Sequence, residues 1–406
     1  MSEIDVIIVG AGAAGIAAAR RLTAAGKRCV LLEARARPGG RAVTDHSLDC
    51  PADLGAAWLH FADTNAWTTL AEQAGFEVIR SDPGWGPAAW VGNAPPTAQQ
   101  RAASAAGFER YFGLVEAAAA AGRDVSLGEI LPVDDFRQRF DAVMTWAVGV
   151  ETANVSVLDL ARYAESTHNW AVRDGLGTVV AHAADGLDVR LGATVTRIDW
   201  SAASSVRVES TAGTLSARAA IVTVPTSVLA RGAISFTPAL PAAWRDAAEQ
   251  LPLGVVNKVF FALAPGSFDA GDARHFIGRG DSARTGSYSL FPARQPLLSA
   301  FFGGDLSKEL ESRGELEAFA REELRGIFGA RIDAQLASAR STAWGGDPFS
   351  LGSYSAARPG HADARAVLAQ PVAPNLCFAG EACSAPYYGT LHGAWLSGQA
   401  AAESLL

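Results

Sequence analysis

The apolar run Ile4–Val9 ends in Gly10, the pattern of a strand buried on both faces of a parallel sheet. Ala13–Ala25 predicts a helix closed by Gly26, and Cys29–Leu32 a second buried strand ending at Glu33, so the chain opens on a βαβ unit. From Trp58 to Val180 long helical stretches dominate, among them the alanine run Ala117–Ala121, interrupted by a Pro/Gly/Trp-rich segment over Pro83–Pro96. Short strands are then expected at Asp188–Arg190, Thr194–Ile198, Val206–Glu209 and Ala220–Val224. A second strand-rich region covers Val255–Leu263, Tyr288–Phe291 and Leu297–Phe302, followed by a charged helical stretch over Leu306–Phe328. Asn375–Ala379 reads as a last strand and Gly393–Leu406 as a last helix. No internal repeat or linker breaks this alternation, which predicts two interleaved, discontinuous domains: 1–80, 181–250 and 355–406 in one, 81–180 and 251–354 in the other.

Composition narrows the function classes. With 406 residues and 49% hydrophobic against 19% charged, the chain can bury enough apolar surface to exclude global disorder. Its 34 basic and 42 acidic residues give a net charge of -8, the wrong sign for nucleic acid and a weak attraction for a cationic substrate. Cys29, Cys50, Cys377 and Cys383 show no metal or redox spacing, and no basic leader precedes the first strand, so a soluble cytoplasmic protein without a metal site is expected. The apolar runs Ala219–Leu229 and Leu251–Ala264 are broken by Pro225 and Lys258 and are too short to span a bilayer.

Gly10-Ala11-Gly12-Ala13-Ala14-Gly15 opens a helix directly after a strand. Its glycines permit a tight turn, close approach of a pyrophosphate to the helix N-terminus, and helix–sheet packing. Glu33, at the end of the second strand, is placed to accept from a ribose hydroxyl. The alternative is a glycine-rich turn that merely packs a helix. Lys258 is one of only three lysines, and it interrupts Val255-Val256-Asn257-Lys258-Val259-Phe260-Phe261, apolar on both faces. A buried lysine needs a partner or a task; otherwise it snorkels from a sheet edge to solvent.

The glycine motif, together with Glu33-Ala34-Arg35-Ala36-Arg37-Pro38-Gly39-Gly40-Arg41, resembles the FAD-binding segment of the flavin amine oxidases, the family of monoamine and polyamine oxidases, flavin histone demethylases and L-amino-acid oxidases. Phe378-Ala379-Gly380-Glu381 and His392-Gly393-Ala394-Trp395-Leu396-Ser397-Gly398 resemble its closing motif, in which a strand and the N-terminus of the last helix embrace the flavin. Asp53-Leu54-Gly55-Ala56-Ala57-Trp58-Leu59-His60 is most similar to the polyamine oxidase branch. Trp344-Gly345-Gly346-Asp347-Pro348-Phe349, leading to Gly352-Ser353-Tyr354-Ser355, is similar to the segment whose tyrosine walls the flavin site.

The resemblance implies an α/β fold, a Rossmann-type FAD-binding domain interleaved with an α+β substrate-binding domain. It implies contacts to FAD from Gly10, Gly12, Ala14, Gly15, Glu33, Ala34, Arg35, Gly39, Gly40 and Arg41, from Gly55, Ala56, Ala57 and Trp58, and from Val195, Trp344, Gly380, Glu381, Thr390, Leu391 and Ala394. It implies a catalytic set of Lys258 holding a water beside the flavin, Tyr354 as an aromatic wall, His60, and Thr390 where monoamine oxidases place a second aromatic. Tyr387 and Tyr388 are near enough to supply that aromatic instead. Monoamine oxidases tether the flavin through a cysteine where Ser353 stands, so non-covalent FAD is expected.

The activity implied is oxidation of a primary or secondary amine, a polyamine or other aliphatic amine first, to an imine that water hydrolyses, with O2 reduced to H2O2. An L-amino-acid oxidase requires an arginine to clamp a carboxylate, and none of the many arginines can be assigned to that task from sequence. A desaturase-type flavin enzyme and a flavin binder without turnover are the alternatives that Lys258 argues against. Trp85, Trp90 and Trp170 are candidates for the cavity wall, with ordinary packing the more common fate.

Overall fold

The computed structural model describes residues 4–165 and 168–406. β1 (Ile4–Val9), α1 (Ala13–Ala24) and β2 (Cys29–Leu32) form the expected unit, the strands pairing in parallel from Val6–Cys29 to Val9–Leu32. β1 is buried on both faces because its alternate residues serve different layers. Val6 and Ile8 pack with Ile16, Leu22 and Trp395, whereas Ile7 and Val9 pack with Val208, Val222 and Phe378. An eight-stranded sheet grows around this pair in the order Ser235–Thr237, Val195–Asp199, Val206–Ser210, Gly213–Val222, β1, β2, Val189–Arg190, with Leu376–Phe378 alongside the end of Gly213–Val222.

The strand expected at Ala220–Val224 is the second half of the ten-residue Gly213–Val222. Its first half returns antiparallel along Val206–Ser210 and exposes Thr214 and Ser216, which hid it from an apolar-run reading. The strand also stops at Val222, where the Thr223 backbone and hydroxyl both bond the Val9 carbonyl and lead the chain off the sheet.

A six-stranded sheet runs in the order Leu336–Ser341, β3 (Val256–Leu263), β6 (Leu297–Gly303), β5 (Ser287–Leu290), β4 (Arg274–Ile277), Trp90–Val91. β4, which no apolar run announces, is held by its antiparallel register on β5. The stretch expected to be helical over Leu306–Phe328 is two helices, Gly304–Arg313 and Leu316–Phe328, parted at Gly314 with φ +68°. They cover one face of the sheet and bury Val259, Phe261, Phe276, Tyr288, Ala300 and Phe302. The other face carries Lys258, Phe260, His275, Ser287, Ser289, Ser299 and Phe301, and it is left for a cavity.

Two helical elements complete the walls. α2 (Arg137–Val148) ends at Gly149 in the left-handed conformation, and α3 (Leu391–Glu403) is capped by Thr390. α3 lies so close to α1 that a Cβ on Gly398 would meet the Ala14 carbonyl oxygen at 2.1 Å. Among the described residues no helix is long and apolar enough to cross a membrane.

Candidate active site

One cavity of about 680 Å³ gathers nearly every residue singled out in the sequence. Gly10, Gly12, Ala14, Glu33, Ala34, Arg35, Gly39, Gly40, Arg41, Gly55, Ala56, Ala57, Trp58 and Val195 line it. So do Trp344, Gly380, Glu381, Thr390, Leu391 and Ala394, with Lys258, Tyr354 and His60. Gly15 is the exception. A Cβ there would sit 2.0 Å from the Gly10 carbonyl oxygen and 3.3 Å from Ile8 Cγ2, so this glycine packs α1 onto β1 and does not face the cavity. Gly393, likewise, is pressed against the Tyr387 carbonyl.

The glycine-rich wall has the features of an anion-binding helix start. No side chain caps α1, whose N-cap is Gly12, so its first N–H groups are left for a ligand. Glu33 is buried, and its two carboxylate oxygens accept from the Ala11 and Arg35 N–H groups at 2.8 and 2.9 Å, which locks the strand end to the turn. Arg35 is held by Asp347 through two 2.7 Å bonds, and Arg41 donates to Glu381 at 3.0 Å and to the Ser353 carbonyl at 2.6 Å. Burial alone would raise the Glu381 carboxyl, but Arg41, Arg365 and Ser355 hold it below the usual range. Gly380 has φ +153°, and a Cβ there would meet nothing within 4 Å, so the chain passes bare backbone along the cavity.

Lys258 sits on β3, an inner strand between Leu336–Ser341 and β6, which overturns the sheet-edge alternative. Its Nζ donates to the Asp53 and Gly55 carbonyls at 2.9 and 2.6 Å, leaving one of three donors for a cavity occupant. Burial pushes its pKa down to about 8, partly opposed by Asp53. Asp53 itself is committed, accepting from the Leu176 and Gly177 N–H groups and from Thr44 Oγ1.

Tyr354 donates its hydroxyl to the Trp146 carbonyl on α2, which fixes the ring against the cavity. The Thr390 hydroxyl is spent on the helix end, accepting from Gly393 N–H at 2.9 Å and donating to the Tyr387 carbonyl at 2.6 Å. Of the two neighbouring tyrosines, Tyr388 lines the cavity, whereas Tyr387 stacks edge-on with His392 and Phe61. His60 Nδ1 lies 2.5 Å from Asn169 Oδ1, so with that oxygen accepting, Nδ1 carries the proton and Nε2 is the free base. Burial keeps the ring neutral by lowering its pKa.

Sequence reasoning missed the floor and the far wall. The register of β3, β6, β5 and β4 sets Phe260, Ser299, Ser289 and His275 in one row and Lys258, Phe301, Ser287 and Ile277 in the next. Only the pairing of four strands makes these scattered residues neighbours. Burial lowers the His275 pKa to about 4. On α2, Arg139, Val143, Trp146 and Ala147 face the cavity at helical spacing. Of the three tryptophans considered, Trp85 lines the cavity, with its ring edge-on to Trp58 at 4.9 Å. Trp90 lies under Arg274 and Trp170 under Arg80. Among the described residues no group of three His, Cys, Asp or Glu is placed to hold a metal ion.

An α/β protein with a glycine-lined cavity, into which a half-buried lysine opens, is the frame on which the comparisons converge. A family model described as flavin containing amine oxidoreductase matches residues 13–93 and 108–406, and the chain belongs to that family. It is 30% identical over 458 residues to Polyamine oxidase 4 of Oryza sativa subsp. japonica, covering 99% of this chain and 88% of that protein. It is 32% identical over 451 residues to Lysine-specific histone demethylase 1 homolog 1 of the same plant, covering 99% of this chain but only 52% of the demethylase. Cyclohexylamine oxidase from Brevibacterium oxydans shares the fold with a TM-score of 0.81 at 23% identity, over 100% of this chain and 99% of that one. A putrescine oxidase variant redesigned in cofactor binding does so with a TM-score of 0.82 at 22% identity, over 99% of each chain.

The family implies a flavin. The uncapped start of α1 and the bare backbone at Gly380 fit such a group, because each leaves room and donors where a side chain would otherwise stand.

Proposed function

We propose that the protein is an FAD-dependent oxidase of primary or secondary aliphatic amines, producing an imine that water hydrolyses to an aldehyde or ketone. The observation that carries this reading is that the α1 glycine turn and Lys258, more than 240 positions apart, open into one cavity. The polyamine oxidase relatives and the Trp58-x-His60 segment support an aliphatic amine. In this reading residues 1–80, 181–250 and 355–406 form the FAD-binding domain and the remainder the substrate-binding domain.

The α1 N-terminus would neutralise the pyrophosphate of FAD, and Glu33 would accept from its ribose through lone pairs not used by Ala11 and Arg35. None of the four cysteines lines the cavity, which supports a non-covalent cofactor. A bound flavin would supply the two-electron acceptor for oxidation of the carbon next to nitrogen, with O2 as the terminal oxidant and H2O2 as its product.

The chain's own residues set the conditions for that chemistry. Lys258 would hold a water with its remaining N–H, while Tyr354 and Tyr388 exclude bulk water and orient the amine by their π faces. An alkylamine of pKa ~10 is neutral to only about one part in a thousand at pH 7, so the site must favour the free base. Lys258 disfavours a second cation nearby, and the unprotonated His60 Nε2 would accept a hydrogen bond from the neutral amine's N–H. All four cysteines are free thiols, in keeping with a cytoplasmic setting.

The test is the visible spectrum of the purified protein, followed by anaerobic mixing with aliphatic amines. Bleaching of the oxidised-flavin band by an amine is expected. Bound flavin that no amine bleaches would move the function to carbon oxidation or to binding without turnover.

A further inference from the structure

The charges on the substrate-facing wall run opposite to those of the whole molecule. Three carboxylates line the cavity, and each is already engaged: Glu33 by backbone N–H groups, Asp53 by a helix start and Thr44, Glu381 by Arg41 and Ser355. Arg139 on α2 also lines it and has no acidic partner among the described residues. Of its five N–H donors one reaches a 3.4 Å contact with the Gly86 carbonyl, and Nε is buried without any acceptor. Trp146 Nε1, on the same face of α2, is a second buried donor without a partner. Neighbouring Arg137, by contrast, is paired with Asp141. A cavity with two orphan donors and no free carboxylate is built to receive an acceptor, not a second ammonium.

Position along the helix says where that acceptor lies. Tyr354 meets α2 at Trp146, and Arg139 is seven residues earlier, roughly 10 Å along the axis. We propose that Arg139 binds an anionic group at the far end of the substrate, which is therefore an amine carrying a carboxylate across a spacer of several methylenes. This rests on the amine-oxidase reading and deepens it. Burial lowers the pKa of Arg139, with no acidic neighbour to oppose it, which agrees with a cation awaiting a counter-ion.

The test compares kcat/KM of the flavin-loaded enzyme for 6-aminohexanoate, hexylamine, 1,6-diaminohexane and L-leucine, with hexanoate binding followed by calorimetry. The carboxylate is expected to be favoured over hexylamine by about 10–100-fold, the range of a charge-assisted bidentate pair, with the diamine poorest. That ratio should collapse in Arg139→Gln and survive in part in Arg139→Lys, which also serves if the Gln variant does not retain flavin. Hexanoate should bind the parent at least about 10-fold more tightly than Arg139→Gln. A preference for 1,6-diaminohexane, or a ratio unchanged in Arg139→Gln, overturns the proposal while leaving amine oxidation standing. A preference for L-leucine places the anion at the reacting carbon and overturns the distal assignment. Arg139-dependent hexanoate binding without bleaching by any amine keeps the anion site and removes the amine-oxidase reading instead.

Discussion

Arg365 and Asp159 meet inside the protein in a two-pronged ion pair, Nε to Oδ1 at 2.6 Å and Nη2 to Oδ2 at 2.8 Å, with both side chains almost wholly buried. The same guanidinium donates to the Ser355 hydroxyl and carbonyl and lies 3.9 Å from the centre of the Tyr388 ring. Two walls of the cavity, Tyr354 through its neighbour Ser355 and Tyr388 through its ring, are therefore braced by one residue that never touches the cavity.

Removing one partner of this pair strands the other in a low-dielectric interior. Arg365→Met should cost about 3–5 kcal/mol in urea unfolding, whereas Arg365→Met with Asp159→Leu should recover much of that loss. A single variant within about 1 kcal/mol of the parent would show that the pair carries little of the stability.

Lys258 has a pH signature in stability. Its native pKa is about 8 against 10.5 for an ordinary lysine, so between those values the unfolded chain binds more protons than the folded one. Stability contributed by this group therefore rises with pH from about 8 to 10.5. The melting temperature of Lys258→Met, measured against the parent across that window, should lack the rise, and flavin reduction by amine should slow by at least about tenfold if the lysine positions a water. Parallel pH curves would refute the titration.

Because the amine must enter as its free base, kcat/KM should rise from pH 6 to 9, with a slope that approaches tenfold per unit well below the amine pKa of ~10. A flat profile with a primary amine would mean that the site accepts the ammonium form and deprotonates it internally.

Two glycines of the cofactor motifs should fail differently. In Gly15→Ala the new methyl meets a backbone carbonyl oxygen at 2.0 Å, and neither β1 nor α1 can move away, so the variant should lose both flavin and thermal stability. In Gly380→Ala the methyl enters open space at φ +153°, a backbone conformation that costs about 1–3 kcal/mol for a non-glycine residue. That variant should fold but carry less flavin per chain. Absorbance ratios and melting curves separate the two; equal losses in both would contradict the division of roles.

How much could be read in advance follows from how local each signal is. The turn from Val9 to Ala13 and the placement of Glu33 were legible, because neighbouring residues alone determine a strand, a glycine turn and a helix start. Lys258 was legible for the opposite reason: it violates the apolar pattern of its own strand. Arg139 gave no such sign, since a polar residue on an amphipathic helix is ordinary and Arg137, two positions away, has an ion-pair partner where Arg139 has none among the described residues. His275 was equally silent, because β4 carries no apolar run and acquires its identity only from β5. Tyr388, one of the two tyrosines offered in place of the second aromatic, lines the cavity beside Thr390, whose hydroxyl is spent on the helix cap, a choice between Tyr387 and Tyr388 that only packing made.

The residue order by itself determined the opening βαβ unit, the glycine turn after β1 and the presence of a lysine within an apolar strand, all consequences of short-range sterics and hydrophobic periodicity. Which face of the six-stranded sheet meets the cavity, which arginine is left without an anion and which tyrosine supports the wall were decided only when distant strands and helices came into register. Those outcomes depend on contacts between separate elements, from His275 beside Ser289 on the neighbouring strand to Tyr354 against Trp146 in a distant helix, and a side chain's partner there is set by packing geometry that no stretch of sequence contains.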